Sequence, residues 1–189
     1  MAGQINRWRQ TKPSRLGRLG IAVFSAILSI CTFAQSPATT TSPCQTSREF
    51  KQFDFWLGHW EVKLPDGTLA GVNSINREQK GCVLLENWRG VQGGTGFSIN
   101  FFDQLKQKWV QVWTGSEGSQ IQIEGGLRNG SMVLEGKLST LGQANSADFR
   151  GTWTPLDDGR VRQFFEQSTD GGRTWQPWFE GFYNRIKSE

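Results

Sequence analysis

From Trp60 to Ile186 the chain alternates with a period of two, and turn signals break it about every ten residues. Trp60–Leu64 runs into Pro65-Asp66-Gly67, and Val72–Glu78 is turned by Lys80-Gly81. Cys82–Arg89 meets the glycine-dense stretch 90–96, and Phe97–Phe102 and Lys108–Thr114 flank a hairpin loop. Gln120–Glu124 and Ser131–Lys137 pair across Arg128-Asn129-Gly130, where Asn-Gly supplies the two positive φ values of a tight hairpin. Asp148–Thr154, Val161–Ser168 and Trp178–Ile186 complete the series. Short connections and no crossover helices require antiparallel neighbours. About ten strands in one open sheet would leave long unpaired edges, so the pattern predicts an all-β, antiparallel up-and-down barrel, with a two-sheet sandwich as the alternative.

The segment before the strands is of a different kind. Arg7, Arg9, Lys12, Arg15 and Arg18 form a basic leader without an acid, followed by the apolar run Leu19–Phe33 and the small-x-small Thr32-Phe33-Ala34. The run is too short for a span of about 20 residues, so residues 1–34 read as a signal peptide and the destination as periplasmic or secreted. Residues 35–46, polar and broken by proline, read as a disordered linker, and 47–189 as the barrel domain. Ser47–Phe55 carries the one helical signal, a turn with Phe50 and Phe53 on one side.

Charge follows the same division. Setting the five leader cations aside from the 21 basic residues leaves 16 against 17 acidic ones, so the basic balance belongs to the leader and not to a nucleic-acid surface. Once the leader is cleaved, nothing in the remainder is expected to hold a membrane. Two cysteines then remain, Cys44 and Cys82, and in an exported chain they predict one disulfide tying the N-terminal arm to the second or third strand; the alternative is two buried thiols.

Several segments together are similar to a known family. They are the opening Asp54-Phe-Trp-Leu-Gly-His-Trp-Glu-Val62, Gly81-Cys82 with Glu86 and Trp88, Gly96–Asp103, Lys108–Trp113 and Ser168–Trp175. They resemble exported bacterial proteins of a domain-of-unknown-function family, over nearly all of the chain after the leader. The resemblance implies a lipocalin-like (calycin) barrel and no established activity. His59 departs from it, standing where Thr, Glu or Asp is expected. Lipocalin-like barrels also open on Gly-x-Trp, with the indole under a basic residue of the last strand. The resemblance therefore implies that Trp60 stacks with Arg185.

Catalytic chemistry has little to work with. His59 is the only histidine, without a Gly-x-Ser-x-Gly elbow for a hydrolase, enough ligands for zinc, or a later histidine for haem. It reads as an exposed turn residue, and no cofactor or metal is called for. Ser168-x-Asp170-x-Gly172-x-x-Trp175 fits an Asp-box, but one box without blade repeats reads as a hairpin brace. Glu86 with Glu166, and Glu124 with Glu135, are the carboxylate pairs that acid/base chemistry would need.

The stronger signal is polar residues set among aromatics on single strand faces: Ser98 with Asn100, Trp109 and Trp113 around Gln111, and Arg162 and Glu166 around Phe164. If these faces point inward, Glu86, Trp88, Asn100, Gln111, Trp113 and Arg162 form a site for a small, partly apolar ligand. If instead Phe97, Phe101, Val110, Val112 and Phe165 point inward, the polar set is solvated. The pattern leaves both faces of Lys108–Thr114 open. A small-molecule binder is the leading reading. An enzyme using Glu86 or Glu166 on a sugar or isoprenoid-like substrate, and a structural module with a filled core, are the alternatives.

Overall fold

The computed structural model describes residues 41–186, so the expected signal peptide and half of the expected linker, residues 35–40, lie outside the described residues. Within them ten strands form one closed antiparallel barrel in which each strand pairs with its neighbours in sequence and the first pairs with the last. They are β1 (Gly58–Lys63), β2 (Leu69–Glu78), β3 (Val83–Gly90), β4 (Thr95–Asp103) and β5 (Lys108–Gly115), then β6 (Gln120–Arg128), β7 (Ser131–Ser139), β8 (Ala147–Pro155), β9 (Val161–Ser168) and β10 (Gln176–Arg185). The sandwich alternative is excluded by the β1–β10 ladder, which pairs Trp60 with Arg185 and Val62 with Tyr183. β6 runs four residues past the expected Glu124, through Gly125-Gly126. These glycines are ladder positions and not a turn. A Cβ on Gly125 would fall 2.1 Å from the carbonyl oxygen of Val133. The turn comes at Asn129 and Gly130, both at positive φ.

Alternation sets the two faces of the wall. Trp60 and Val62, Asn73 and Ile75, Leu84 and Glu86, Ser98 and Asn100, and Trp109 and Gln111 are buried inside, with Phe149, Trp153, Val161 and Tyr183 from the later strands. Phe97, Ile99 and Val112 stand on the outer surface. The inward polar faces are therefore those of Ser98–Asn100 and Gln111; among the residues of the opposite arrangement, Phe165 alone is buried in the core.

One end of the barrel is plugged by the segment before β1. It consists of three single helical turns, Pro43–Thr46, Glu49–Lys51 and Asp54–Trp56, so ordered structure begins inside the expected linker and the helical signal is broken into pieces. Phe53 inserts under the strands with its ring centroid 4.9 Å from Trp56, 5.6 Å from Trp109 and 5.2 Å from Trp153. Phe50 meets Phe102 edge-on at 5.5 Å. The backbone carbonyls of these turns, which no strand can satisfy, are taken by side chains from the wall: Trp109 Nε1 donates to Glu49 O at 3.1 Å, and Trp60 Nε1 donates to Trp56 O at 3.0 Å. Arg77 pairs with Asp54 and donates to Gly81 O at 3.2 Å.

The Gly58-x-Trp60 opening follows from this closure. The Arg185 guanidinium lies 4.2 Å from the Trp60 ring centroid and donates to Leu57 O at 3.2 Å. Gly58 has φ +134°, and a Cβ there would fall 2.5 Å from Arg185 Nη1, so the cation reaches the indole only past a residue without a side chain.

Cys44, in the first helical turn, is disulfide-bonded to Cys82, the residue just before β3, closing a separation of 38 residues. Cross-linking a loop of that length removes about 4 kcal/mol of unfolded-state entropy in the chain model. We predict that the Cys44→Ser/Cys82→Ser variant loses about 2–4 kcal/mol of unfolding free energy in denaturant titrations; an unchanged midpoint would show that the plug holds without its staple.

Candidate functional site

The plug fills one end of the barrel and leaves the other open. At the open end lie the β3–β4, β5–β6 and β9–β10 connections, and beneath them is a cavity of about 200 Å³. Its walls are aromatic: Trp88 from β3, Trp113 from β5, Phe165 from β9, and Trp178 and Phe179 from β10, with Ile121 between. Its polar lining is Glu86, Gln111, Gln163 and Tyr183, and at the mouth Gly94 and Glu117 come from connections and Thr95 from the start of β4. The Trp113 ring lies against the backbone of β4. A Cβ on Gly96 would fall 1.9 Å from its nearest ring carbon, so the glycine is what lets this wall stand where it does.

Below the aromatic walls the strands contribute one connected polar layer. Gln111 Nε2 donates to Asn100 Oδ1 at 2.9 Å, Asn100 Nδ2 donates to Ser98 Oγ at 2.8 Å, and Ser98 Oγ donates to Glu86 Oε2 at 2.6 Å. From the other side Asn73 Nδ2 donates to Glu86 Oε1 at 2.7 Å and to Tyr183 OH at 3.1 Å, and Tyr183 OH donates to Gln163 Oε1 at 2.6 Å. Both oxygens of Glu86 are thus served by donors, the arrangement an ionised carboxylate wants.

The charge itself has no partner. Glu86 is 3% exposed, the one buried acid among the described residues, and it takes part in none of the ion pairs found there. Burial disfavours the anion more than the Ser98 and Asn73 hydrogen bonds favour it, and the carboxyl is pushed up from 4.5 to about 7. Burial, and then the nearby Glu86 charge, drive the Tyr183 hydroxyl upward, so it stays a neutral donor. Two buried atoms of this region are left without partners, the Trp113 indole nitrogen and Asn73 Oδ1.

Five of the six residues singled out from the sequence therefore meet at this end of the barrel. Glu86, Trp88, Gln111 and Trp113 line the cavity, and Asn100 sits in the hydrogen-bonded layer below. Arg162 does not join them. It lies on β9 one residue out of phase with the buried Val161, Gln163 and Phe165, on the outer face, where its Nε donates to Glu180 at 2.6 Å and its guanidinium covers Phe164 at 4.7 Å. The inward polar residue of β9 is Gln163. Asn73, Gln163 and Tyr183 are the members that sequence reasoning missed, although Asn73 has the same parity as Ile75, and Gln163 the same as Val161.

The other candidates fall outside the cavity. Glu166 is held on the outer face by Arg150, at 2.9 Å, so it makes no pair with Glu86 across a cleft. Glu124 and Glu135 are direct cross-strand partners, bound to Lys106, Lys108 and Arg128. His59 is exposed on β1 and not in a turn. The Asp-box is a hairpin brace: Asp170 accepts the Thr174 backbone N–H at 2.9 Å, the Thr174 and Ser168 hydroxyls at 2.7 and 2.8 Å, and the Arg173 N–H at 2.9 Å, which hold its carboxyl down at about 2. Among the described residues no cluster of three or more His, Cys, Asp or Glu is placed to hold a metal, and no helix is long and apolar enough to cross a membrane. No family model matches the sequence, and a search of curated proteins finds no significant match.

The raised Glu86 carboxyl has a definite effect on stability. The folded state holds the proton more tightly than the unfolded one, so this group favours folding below about pH 4.5, and that contribution is lost as pH rises through about 7. A shift of this size is worth about 3 kcal/mol. The unfolding free energy of Glu86→Gln relative to wild type is predicted to rise by that order between pH 4 and pH 8; a flat difference would place Glu86 in an aqueous environment.

Proposed function

We propose that the protein is an exported binding barrel that takes a small, partly apolar ligand into the cavity at its open end. The observation that carries this reading is the layering of the interior, with a solid aromatic plug below, an open aromatic chamber above, and a hydrogen-bonded polar layer between. A structural module would gain from filling that chamber, because unfilled space forfeits packing contacts and a buried unpaired acid costs free energy. The chamber of about 200 Å³ limits the ligand. An apolar cavity of about 150 Å³ takes one benzene, so one ring with a short substituent is the scale expected here. Trp88 and Trp113 supply stacking surface at low entropic cost, and Glu86 and Gln111 orient the polar end. The basic leader and the Cys44–Cys82 disulfide both support export to an oxidising compartment. So does the resemblance to exported proteins with lipocalin-like barrels.

A second reading is favoured by one observation, the Glu86 carboxyl held at about 7, where an acid or base on a bound substrate is most effective. Among the described residues Glu117 at the mouth is the only other acid on the cavity, so such an enzyme would work with a single buried carboxyl.

Native mass spectrometry of the exported protein, purified without detergent and followed by solvent extraction, tests the proposal. The expected result is a discrete added mass that Trp113→Ala diminishes, with the extracted compound unchanged after incubation with fresh protein. Chemical conversion of that compound would favour the enzyme. An apo mass, together with no uptake of small aromatic probes, would favour a structural barrel.

A further inference from the structure

Resting on the binding reading above, we infer that the ligand class is an organic cation: an ammonium compound carrying one ring or a short apolar chain, its nitrogen seated on Glu86 and its apolar part between Trp88 and Trp113. The first element is the sign of the charge on the cavity lining. Among the described residues no Lys, Arg or His lines the cavity, whereas two acids do, Glu86 inside and Glu117 at the mouth. A ligand carboxylate or phosphate would enter without a counter-charge and face a buried acid, which excludes the fatty-acid type of cargo.

The second element is the missing partner of Glu86. The neighbours packed against it are Asn73 from β2 and Ser98 from β4, with Tyr183 and Gln163 beyond from β10 and β9, and none carries a positive charge. Yet every hydrogen bond that reaches the carboxylate is donated to it, and the donor chain from Gln111 through Asn100 and Ser98 runs toward it. The layer is thus wired for an anion whose counter-ion the described residues do not provide. Each oxygen accepts one bond of known origin, and a carboxylate oxygen has room for two, so an ammonium N–H finds acceptor sites still open. Arrival of a cation would supply the missing charge and draw the carboxyl back toward ionisation.

The third element is the wall. Trp88, Trp113, Trp178, Phe165 and Phe179 present ring surfaces around the same space. Aromatic faces attract cations through their quadrupole, most strongly when desolvated, and tryptophan does so best. Rings alone would serve any apolar ligand. Rings around an uncompensated carboxylate select for positive charge.

The test uses three probes of nearly equal size that differ in charge: phenethylamine, phenethyl alcohol and phenylacetate. Binding is measured by calorimetry at pH 8, where Glu86 is mostly ionised. The expected order is phenethylamine tighter than phenethyl alcohol by at least about tenfold, the worth of a charged hydrogen bond over a neutral one, with phenylacetate weakest. Glu86→Gln should bring the amine to within about threefold of the alcohol, and retained alcohol binding shows that the variant is folded. If the alcohol equals the amine in wild type, or phenylacetate binds tightest, the cation assignment is overturned and the cavity stands. If none of the three binds folded wild-type protein, the small-ligand reading falls, and this inference with it.

Discussion

The pairing of β1 with β10 is the interaction on which the rest depends. Once Trp60 lies opposite Arg185 and Val62 opposite Tyr183, the sheet has no edge, and every strand must present one face inward. A barrel of ten strands is wider than the eight-stranded kind whose interior side chains can just fill. The chain resolves this asymmetrically. The segment before β1 folds back as helical turns and drives Phe50, Phe53 and Trp56 into one end, and the Cys44–Cys82 bond holds it there. Among the described residues nothing equivalent enters the other end. The cavity is therefore a consequence of strand number together with a plug on one side.

Where the plug stops, the interior changes character. Trp109 belongs to the plug, Gln111 to the polar layer and Trp113 to the cavity wall, so a single strand passes through all three levels at two-residue steps. Asn73, Glu86, Ser98 and Asn100 fill the same middle level from β2, β3 and β4. Such a layer is unfavourable unless each member finds a partner, and each side chain makes at least one hydrogen bond, although Asn73 Oδ1 is left unpaired. Glu86 is different because hydrogen bonds alone do not compensate a buried charge. Its position between an aromatic chamber and a closed polar layer gives a charge-bearing ligand something to complete.

Much of the fold was legible in the sequence because antiparallel strands carry their signal locally. Alternation marked all ten strands, Asn129-Gly130 marked a hairpin, the strand count favoured closure, and the lipocalin resemblance implied the pairing of Trp60 with Arg185. Boundaries slipped where a residue's usual meaning was overridden. The sixth strand was expected to end at Glu124, yet Gly125 lies inside the ladder because β7 passes too close for a side chain. The site was only half legible for a related reason. On β4, Ser98 and Asn100 could be placed inside only through cross-strand partners, and on β9 the charge and length of Arg162 drew attention from Gln163. One residue of phase sends one to solvent and the other to Tyr183. Tyr183 is the only tyrosine of the chain, and nothing local marks it; its role arises from β10 being brought round to β1, across from Asn73 on β2.

Glu86 is a buried carboxyl at the base of a cavity, without a counter-charge among the described residues. The most direct measurement is a carbon-13 NMR titration of the glutamate side-chain carboxyls, with the Glu86 resonance assigned by its absence in Glu86→Gln. The account predicts that Glu86 titrates with a midpoint of about 7. A Glu86 resonance titrating at about 4.5, the ordinary value, would contradict it and show the carboxylate to be hydrated.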